Sequence, residues 1–239
     1  MFSVALIGPD GAGKTTVGRR LGNVLPLPVK YIYMGINRDS SNHMLPTTRL
    51  IRAIKRFCGA KPDTAGPPDP NKAKVRPKGL VKAAWSSLKA GLRLANQLSE
   101  EFFRQSLAWY YQRRGHIVLF DRHYFADYHA YDIASGPRER PLSRRIHGFV
   151  LSRFMPKPDL VIYLDAPAEV LFARKGEGTI EALERRRQDY LQLQGLVKRF
   201  ILVDAAQAED DVTREVTKQI WDFYEARTAK PAKPQNVHV

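Results

Sequence analysis

The chain of 239 residues has a single cysteine, Cys58, and no apolar run of the length that a membrane helix needs. One cysteine cannot form a disulfide within the chain, and a membrane helix takes about 20 consecutive apolar residues. Lys14 and Arg19 interrupt the early apolar stretch, so no secretory leader is expected. The sequence therefore argues against a disulfide-stapled secreted domain, and we expect a cytoplasmic protein.

Acidic residues are scarce as well, with 24 Asp and Glu against 39 Lys and Arg, a net charge of +15. Residues 38–114 hold 16 basic and 5 acidic residues, which is +11 of that total. Such a field attracts nucleotides, nucleic acid or an acidic membrane surface. No nucleic-acid-binding motif or aromatic ladder accompanies it, so nucleic acid is the least favoured partner. A solvated basic surface is the simpler interpretation.

What the sequence does contain is the pattern G-x-x-x-x-G-K-T at Gly8–Thr15. An apolar run predicted as a strand precedes it and a stretch with helical spacing follows, which is the context of a phosphate-binding P-loop. Glycines let backbone N–H groups point at a phosphate chain, and the helix start adds its dipole. We predict a nucleoside-triphosphate site. The predicted ATP-binding residues are Gly8, Asp10, Gly11, Ala12, Gly13, Lys14, Thr15 and Thr16.

A second pair of residues, Asp121-Arg122, follows another apolar run. Lys14 is predicted to carry charge to the β- and γ-phosphates, and the Thr15 hydroxyl to ligate Mg²⁺. Asp121 is predicted to hold the metal shell or orient the acceptor, and Arg122 to form a bidentate fork on an acceptor phosphate. Asp165 ends a later apolar run in a similar position, but no Arg follows it, so it ranks lower.

Basic residues late in the chain are candidates for a closing lid. Phosphoryl transfer needs positive charge on the migrating group and exclusion of water, and a closing basic segment supplies both. The candidates are Arg174, Lys175, Arg185, Arg186 and Arg187. At helical spacing only one or two of the three consecutive arginines can face the site, and a solvated helix face is the alternative for that cluster.

Apolar runs alternate with helical patterns along the whole chain, which predicts a parallel sheet covered on both faces. The predicted strands are 2–7, 29–34, 116–120, 160–164 and 200–203. The carboxyl ends of parallel strands meet at one edge, and there we expect the active site. One domain, 1–227, is predicted to contain all of these elements.

The remaining segments are predicted from composition and spacing. Residues 36–42 and the stretch after Asp121 are predicted as loops, and 45–57 as a short basic helix. Residues 80–114 are predicted as one long helix, or two with a break near Ser99. Its apolar stripe is interpreted as core or subunit interface, with a membrane surface anchored by Trp85 as the alternative. Residues 59–79 are predicted as a flexible insertion and 228–239 as a disordered tail.

These motifs together resemble the thymidylate kinase family of P-loop nucleoside monophosphate kinases. The resemblance is carried by the segments 8–16, 114–123, 158–165, 190–193 and 203–205. It implies a P-loop NTPase three-layer α/β sandwich with a five-stranded parallel sheet of order 2-3-1-4-5. It also implies Mg-ATP as phosphoryl donor, Mg²⁺ as cofactor and commonly a homodimer. For individual residues, the resemblance implies that Asp10 contacts the acceptor sugar and that Arg122 binds the acceptor phosphate. It also implies that Tyr131 belongs to the acceptor site. The basic catalytic residue is expected to come from the lid, and Arg174 is the first candidate for it.

The leading prediction is therefore a Mg-ATP-dependent kinase of a (deoxy)nucleoside monophosphate such as dTMP. The acceptor side departs from the family, because Met34–Arg38 replaces an Arg-Glu-Pro segment and Ser99–Glu101 does not match the base-reading segment. Two alternatives stay open: a kinase acting on a hydroxyl of a sugar or membrane-linked glycan, and an ATP-dependent nucleic-acid-binding module without kinase activity. Predicted partners are ATP, a small phosphorylated acceptor, a second copy of the chain and a weakly bound anionic membrane.

Overall fold

Five parallel strands form one sheet at the centre of the protein. The computed structural model describes residues 1–35, 41, 43–57, 59, 80–129 and 141–229. The strands are β1 (Ser3–Ile7), β2 (Val29–Tyr33), β3 (Ile117–Asp121), β4 (Leu160–Asp165) and β5 (Phe200–Asp204). Every neighbouring pair is parallel, and the order is β2-β3-β1-β4-β5. The predicted α/β fold and strand order are confirmed.

Helices cover both faces of the sheet, because alternate strand residues point to opposite sides and nearly all are apolar. The helices are α1 (Lys14–Val24), α2 (Pro46–Phe57), α3 (Leu80–Arg113), α4 (Tyr124–Tyr128), α5 (Leu142–Phe154), α6 (Ala168–Lys175), α7 (Ile180–Leu191) and α8 (Glu209–Thr228). One buried cluster joins Leu6, Leu119 and Ile162 to α1 and α8. The other joins Ala5 and Phe120 to α3 and α5. These two clusters make the three-layer sandwich.

The long helix α3 is continuous through Ser99, which confirms the prediction of one long helix and rules out the alternative of two helices with a break near Ser99. Glu100 and Glu101 have buried side chains with partners on other elements. Glu100 accepts from the Leu45 backbone N–H at 3.2 Å, and Glu101 lies 3.0 Å from His147 Nε2. The polar residues therefore stay in the helix, because tertiary contacts satisfy them.

The segment after Asp121 also differs from the prediction of a loop, because it contains the short helix α4. His123 caps that helix, its Nδ1 accepting from the Phe125 backbone N–H at 3.3 Å. Thr228, predicted as the first residue of the tail, is the last residue of α8. The predicted loop at 36–42 apart from Ser41, the predicted insertion apart from Gly59, and the tail from 230 lie outside the described residues. Among the described helices, none has the length and apolarity needed to cross a bilayer.

Candidate active site

The P-loop connects β1 to α1 and is held in place by close backbone packing. Gly13 directly precedes α1 with φ of 81°, a left-handed conformation that favours glycine. A Cβ on Gly11 would lie 2.7 Å from the Leu171 carbonyl oxygen, so α6 leaves no room for a side chain there. Glycine at the N-cap offers no side chain to the first N–H groups of α1. Those N–H groups are therefore available to an anion.

Lys14 is buried in the P-loop. Its side chain is 5% exposed, and Nζ donates to the Pro9 carbonyl oxygen at 2.6 Å. Burial, reinforced by the charge of Arg122, lowers the pKa of Lys14 from 10.5 to about 7, although Asp10 and Asp121 oppose the change. The lowered pKa means that the surrounding groups offset only part of the cost of burying the ammonium charge, so a phosphate would bind it strongly.

Asp121 lies at the end of β3, fully buried, and joins two elements around the P-loop. Its Oδ2 accepts from the Thr15 hydroxyl at 2.6 Å and also from the Tyr31 hydroxyl on β2. Burial and the charge of Asp121 raise the pKa of Tyr31, which keeps that hydroxyl a donor. The other oxygen, Oδ1, is buried without a hydrogen-bond partner among the described residues.

The pair Thr15 and Asp121 fits a hard divalent cation. A hydroxyl and a carboxylate are oxygen ligands of the kind that Mg²⁺ takes, and the orphaned Oδ1 has a lone pair with no other use. Among the described residues no group of three or more His, Cys, Asp and Glu side chains forms a metal cage. Two protein ligands are enough for Mg²⁺ when nucleotide phosphates and water supply the rest.

Three cationic side chains from three elements converge on Asp10. Arg122, directly after β3, donates to Oδ1. Arg186 on α7 donates to Oδ2 at 2.8 Å, and Lys175 at the end of α6 lies 3.7 Å from Oδ1. Burial alone would raise the pKa of Asp10, but the charges of Arg122, Lys14 and Arg186 outweigh it and hold that pKa well below its usual range. This cluster has the charge and geometry to receive phosphate groups.

The backbone of Arg122 is strained, since its φ of 63° is the one positive φ of a non-glycine residue in the described part of the chain. Its N–H donates to the Leu6 carbonyl at 3.0 Å, which fixes it beside β1. Asp127 is buried nearby and accepts a hydrogen bond from the Tyr190 hydroxyl at 3.0 Å. Burial raises the pKa of Asp127, although Arg122 and Arg186 oppose the change. Asp127 and Tyr190 thus support Arg122 from the core side.

The predicted lid residues divide between different positions. Among them, Lys175 and Arg186 reach the Asp10 cluster. Arg187 forms a bidentate pair with Asp165 at 2.8 Å for both bonds, so the carboxylate that ranked lower serves to hold α7. Arg185 is exposed to solvent. Arg174, predicted as catalytic, lies elsewhere: its guanidinium donates to the Ala205 carbonyl at 2.7 Å, after β5, because it sits on the face of α6 that points to that strand end.

The structure therefore brings together seven of the predicted residues, Asp10, Lys14, Thr15, Asp121, Arg122, Lys175 and Arg186. Tyr131 lies outside the described residues. Three further residues were missed: Tyr31, Asp127 and Tyr190. Tyr31 could have been found, because it lies two residues before Tyr33, which is in register with Asp121 once the strand order is known. No local signal in the sequence distinguishes Asp127 or Tyr190.

Comparison with known proteins gives a partial match. No protein-family model matches the chain. Over 110 residues the chain is 32% identical to a protein of Saccharolobus solfataricus (strain ATCC 35092 / DSM 1617 / JCM 11322 / P2) named "Probable thymidylate kinase 1". The matching segment covers 44% of this chain and 54% of that protein, so the chain spans about half the length of its curated relative. Over that segment the chain is similar to a protein of this name, and the observed fold agrees with the similarity.

Proposed function

We propose that this protein is a Mg-ATP-dependent phosphotransferase, similar to thymidylate kinases, that transfers the γ-phosphate to a (deoxy)nucleoside monophosphate such as dTMP. One observation carries the proposal. The hydrogen bond from Thr15 to Asp121 joins the P-loop helix to the end of β3, and the next residue, Arg122, meets Asp10 and Arg186 at the same sheet edge. Donor and acceptor groups are thereby within the reach of one reaction.

On the donor side, the amides of the P-loop and the Lys14 ammonium bind the triphosphate. Thr15 and Asp121 would hold Mg²⁺, which when bound neutralises charge on the β- and γ-phosphates. Tyr31 keeps the Asp121 carboxylate in one orientation by donating to Oδ2. The buried position of Lys14 excludes water from the phosphate chain once the nucleotide is in place.

On the acceptor side, Arg122 binds the phosphate of the monophosphate as a bidentate fork. An oxygen of that phosphate attacks the γ-phosphorus, and the bond from the γ-phosphorus to its bridging oxygen breaks, giving ADP and a nucleoside diphosphate. Arg186 stabilises the negative charge that develops on the migrating phosphoryl group. Arg122 and Arg186 leave Asp10 to bind the substrate phosphates, and Asp10 then accepts a hydrogen bond from a hydroxyl of the acceptor sugar.

A second candidate keeps this donor site and replaces the acceptor by a hydroxyl of a sugar or a membrane-linked glycan. Two residues of the segment Ser99–Glu101, which departs from the family's base-reading segment, are turned into the protein: Glu100 and Glu101 are buried and contact Leu45 and His147. Side chains used internally are not available to read a nucleobase. Among the residues described, no observation favours the nucleic-acid-binding module.

The test is phosphate transfer from radiolabelled ATP to a panel of nucleoside monophosphates, sugars and lipid-linked glycans, with Mg²⁺. Transfer to a monophosphate that Lys14→Met and Arg186→Ala abolish supports the proposal. Arg185→Ala is the matched control, because it removes an exposed arginine from the same helix. Transfer only to hydroxyl acceptors would establish the second candidate. Tight ATP binding that Lys14→Met leaves intact, with no acceptor phosphorylated, would refute both.

A further inference from the structure

The buried pair of Asp127 and Tyr190 has no direct part in the proposed reaction, yet it joins two segments that do. Asp127 lies on α4 and Tyr190 on α7, and both side chains are buried. The Tyr190 hydroxyl donates to Oδ1 of Asp127 at 3.0 Å. A carboxylate taken out of water needs such a donor, so breaking the bond would leave an unsatisfied polar group in the interior. The pair therefore ties α7 to α4.

On the α4 side, Asp127 is fixed with respect to Arg122. The backbone N–H of Asp127 donates to the carbonyl of His123 at 3.0 Å, and His123 directly follows Arg122. The backbone of Arg122 is itself fixed, because its N–H donates to the Leu6 carbonyl of β1. Burial alone would lower the pKa of the Arg122 guanidinium, but the charges around it, that of Asp127 first among them, raise that pKa. Asp127 thus acts on both the backbone and the charge of Arg122.

On the α7 side, Tyr190 is fixed with respect to Arg186. The two residues are four positions apart, so their side chains lie one turn from each other on the same face of the helix. Of the residues of α7, all of which the structure describes, Leu183 and Tyr190 are the buried ones. With so little burial, the position of α7 depends on a few contacts, and the Tyr190 hydroxyl makes one of them. One turn away, the guanidinium of Arg186 donates to Oδ2 of Asp10 at 2.8 Å.

The two chains of contacts meet on one carboxylate. Arg122 donates to Oδ1 of Asp10 and Arg186 to Oδ2, so the two guanidiniums are separated by the width of a carboxylate. A guanidinium matches the geometry of carboxylate and phosphate alike. The same spacing therefore suits oxygens of one phosphoryl group, or of two groups in contact. Phosphoryl transfer requires two groups in contact, since the acceptor oxygen must reach the γ-phosphorus.

We propose that Asp127 and Tyr190 are positioning residues, and that their hydrogen bond fixes the spacing between the guanidiniums of Arg122 and Arg186. Without the bond, α7 and α4 can shift against each other, and the two arginines lose their common position on Asp10. The consequence for catalysis rests on the proposed function, because it assumes that these arginines bind the reacting phosphates. The spacing itself can be tested without any substrate.

The first experiment is a double-mutant cycle of unfolding in urea, with Tyr190→Phe and Arg186→Ala. Tyr190→Phe removes the hydroxyl and keeps the ring, whose centroid lies 5.8 Å from that of Tyr163. If the bond holds Arg186 on Asp10, the two effects are coupled. The double variant should then change the unfolding equilibrium constant by at least about threefold less than the product of the two single changes.

Two further variants make the cycle specific. Arg185→Ala removes the neighbouring, exposed arginine of α7 and should be additive with Tyr190→Phe. Asp127→Ala removes the other partner of the bond and should show the same coupling to Arg186→Ala, so the test survives if one variant does not fold. Additive losses for Tyr190→Phe and Asp127→Ala alike would overturn the proposal.

The second experiment is steady-state phosphate transfer to the acceptor found with the panel of acceptors. Tyr190→Phe should lower kcat about tenfold and leave the KM for ATP unchanged, because the bond does not contact the P-loop. Tyr163→Phe is the matched control: it also removes a hydrogen bond from a buried tyrosine to a carboxylate, 2.7 Å long, but that carboxylate, Asp165, pairs with Arg187. We expect Tyr163→Phe to lower stability and to keep the kcat of the wild type. When Arg186→Ala is already present, Tyr190→Phe should lower kcat little further.

The two experiments separate the failure of this proposal from the failure of the proposed function. A wild type that phosphorylates no acceptor would refute the proposed function, and the unfolding cycle would still decide the positioning role. An active wild type with equal kcat for Tyr190→Phe and Tyr163→Phe would overturn the positioning role and leave the proposed function standing. The same conclusion would follow if Tyr190→Phe lowered kcat equally with and without Arg186→Ala.

Discussion

Lys14 should lower the stability of the unliganded protein, so that Lys14→Met raises it. The ammonium group is buried, has a hydrogen bond to the Pro9 carbonyl and lies in the field of Arg122. Burial lowers its pKa from 10.5 to about 7. Between those two values the unfolded chain keeps a proton that the folded protein gives up, so stability rises with pH across this window. Below a pH of about 7 the full cost of burying the charge is present.

The size of the effect follows from the pKa change, which corresponds to at most about 5 kcal/mol at 1.36 kcal/mol per unit. The hydrogen bond to Pro9 offsets about 1 kcal/mol of this cost. Methionine has a similar length and no charge, and it fills the same space. We expect Lys14→Met to raise the free energy of unfolding by about 2–4 kcal/mol in mildly acidic buffer, and by much less at a pH of about 10.

The assay is urea unfolding without nucleotide at those two pH values. Lys218→Met is the control, because Lys218 is an exposed lysine of α8 whose loss should change little. ATP should stabilise the wild type and not Lys14→Met, which links the added stability to the lost function. A variant that is less stable than the wild type, or a gain that is the same at both pH values, would refute the reasoning.

Three further predictions concern the neighbours of the phosphate site. Tyr31→Phe removes a hydrogen-bond donor to the buried Asp121, so the free energy of unfolding in urea should fall by about 1–3 kcal/mol. The Mg²⁺-dependent affinity for ATP, measured by calorimetry, should fall as well. Unchanged values of both would show that the hydroxyl is dispensable. Arg122→Gly should have a free energy of unfolding in urea about 1 kcal/mol higher than that of Arg122→Ala, because glycine adopts the positive φ without strain. Both variants should lose acceptor phosphorylation, and the reverse order of stability would argue against strain. Arg186→Ala should lower kcat about a hundredfold or more while Arg185→Ala leaves it unchanged, and equal kinetics would remove Arg186 from the reaction.

The core strands could be predicted closely because the signal is local. Each is an apolar run that ends at a polar residue or a glycine, and the observed bounds differ from the predicted ones by no more than a residue. The strand order is different in kind, since nothing within a run such as Val29–Tyr33 says which strand lies next to it. That order came from the resemblance of the motifs around Gly8 and Asp121, and the structure confirms it.

The misses concern side chains whose roles depend on partners far along the chain. Ser99–Glu101 looks like a helix break because three polar residues follow one another, and the sequence does not show that Leu45, just before α2, and His147 on α5 satisfy the two glutamates. Helical phase limits the number of arginines on α7 that can face the site, but it cannot select Arg186, because the choice depends on how α7 packs. Arg174 was assigned by proximity in sequence to the lid, whereas the orientation of α6 turns it toward β5.

Departures from ordinary folding rules concentrate at one edge of an otherwise regular sheet. Lys14 is a buried cation, Asp121 has a buried oxygen to which none of the described residues donates, and Arg122 has a backbone conformation that favours glycine. Each lowers stability by about 1 kcal/mol or more, and a fold selected for stability alone has no use for them. Under the proposed function, a phosphate chain would compensate Lys14, a divalent cation would bind the Oδ1 of Asp121, and an acceptor phosphate would bind the guanidinium that the strained backbone presents. A Mg²⁺-bound triphosphate beside a second phosphate would account for all three departures at once, and for this reason we propose phosphoryl transfer rather than ATP binding alone.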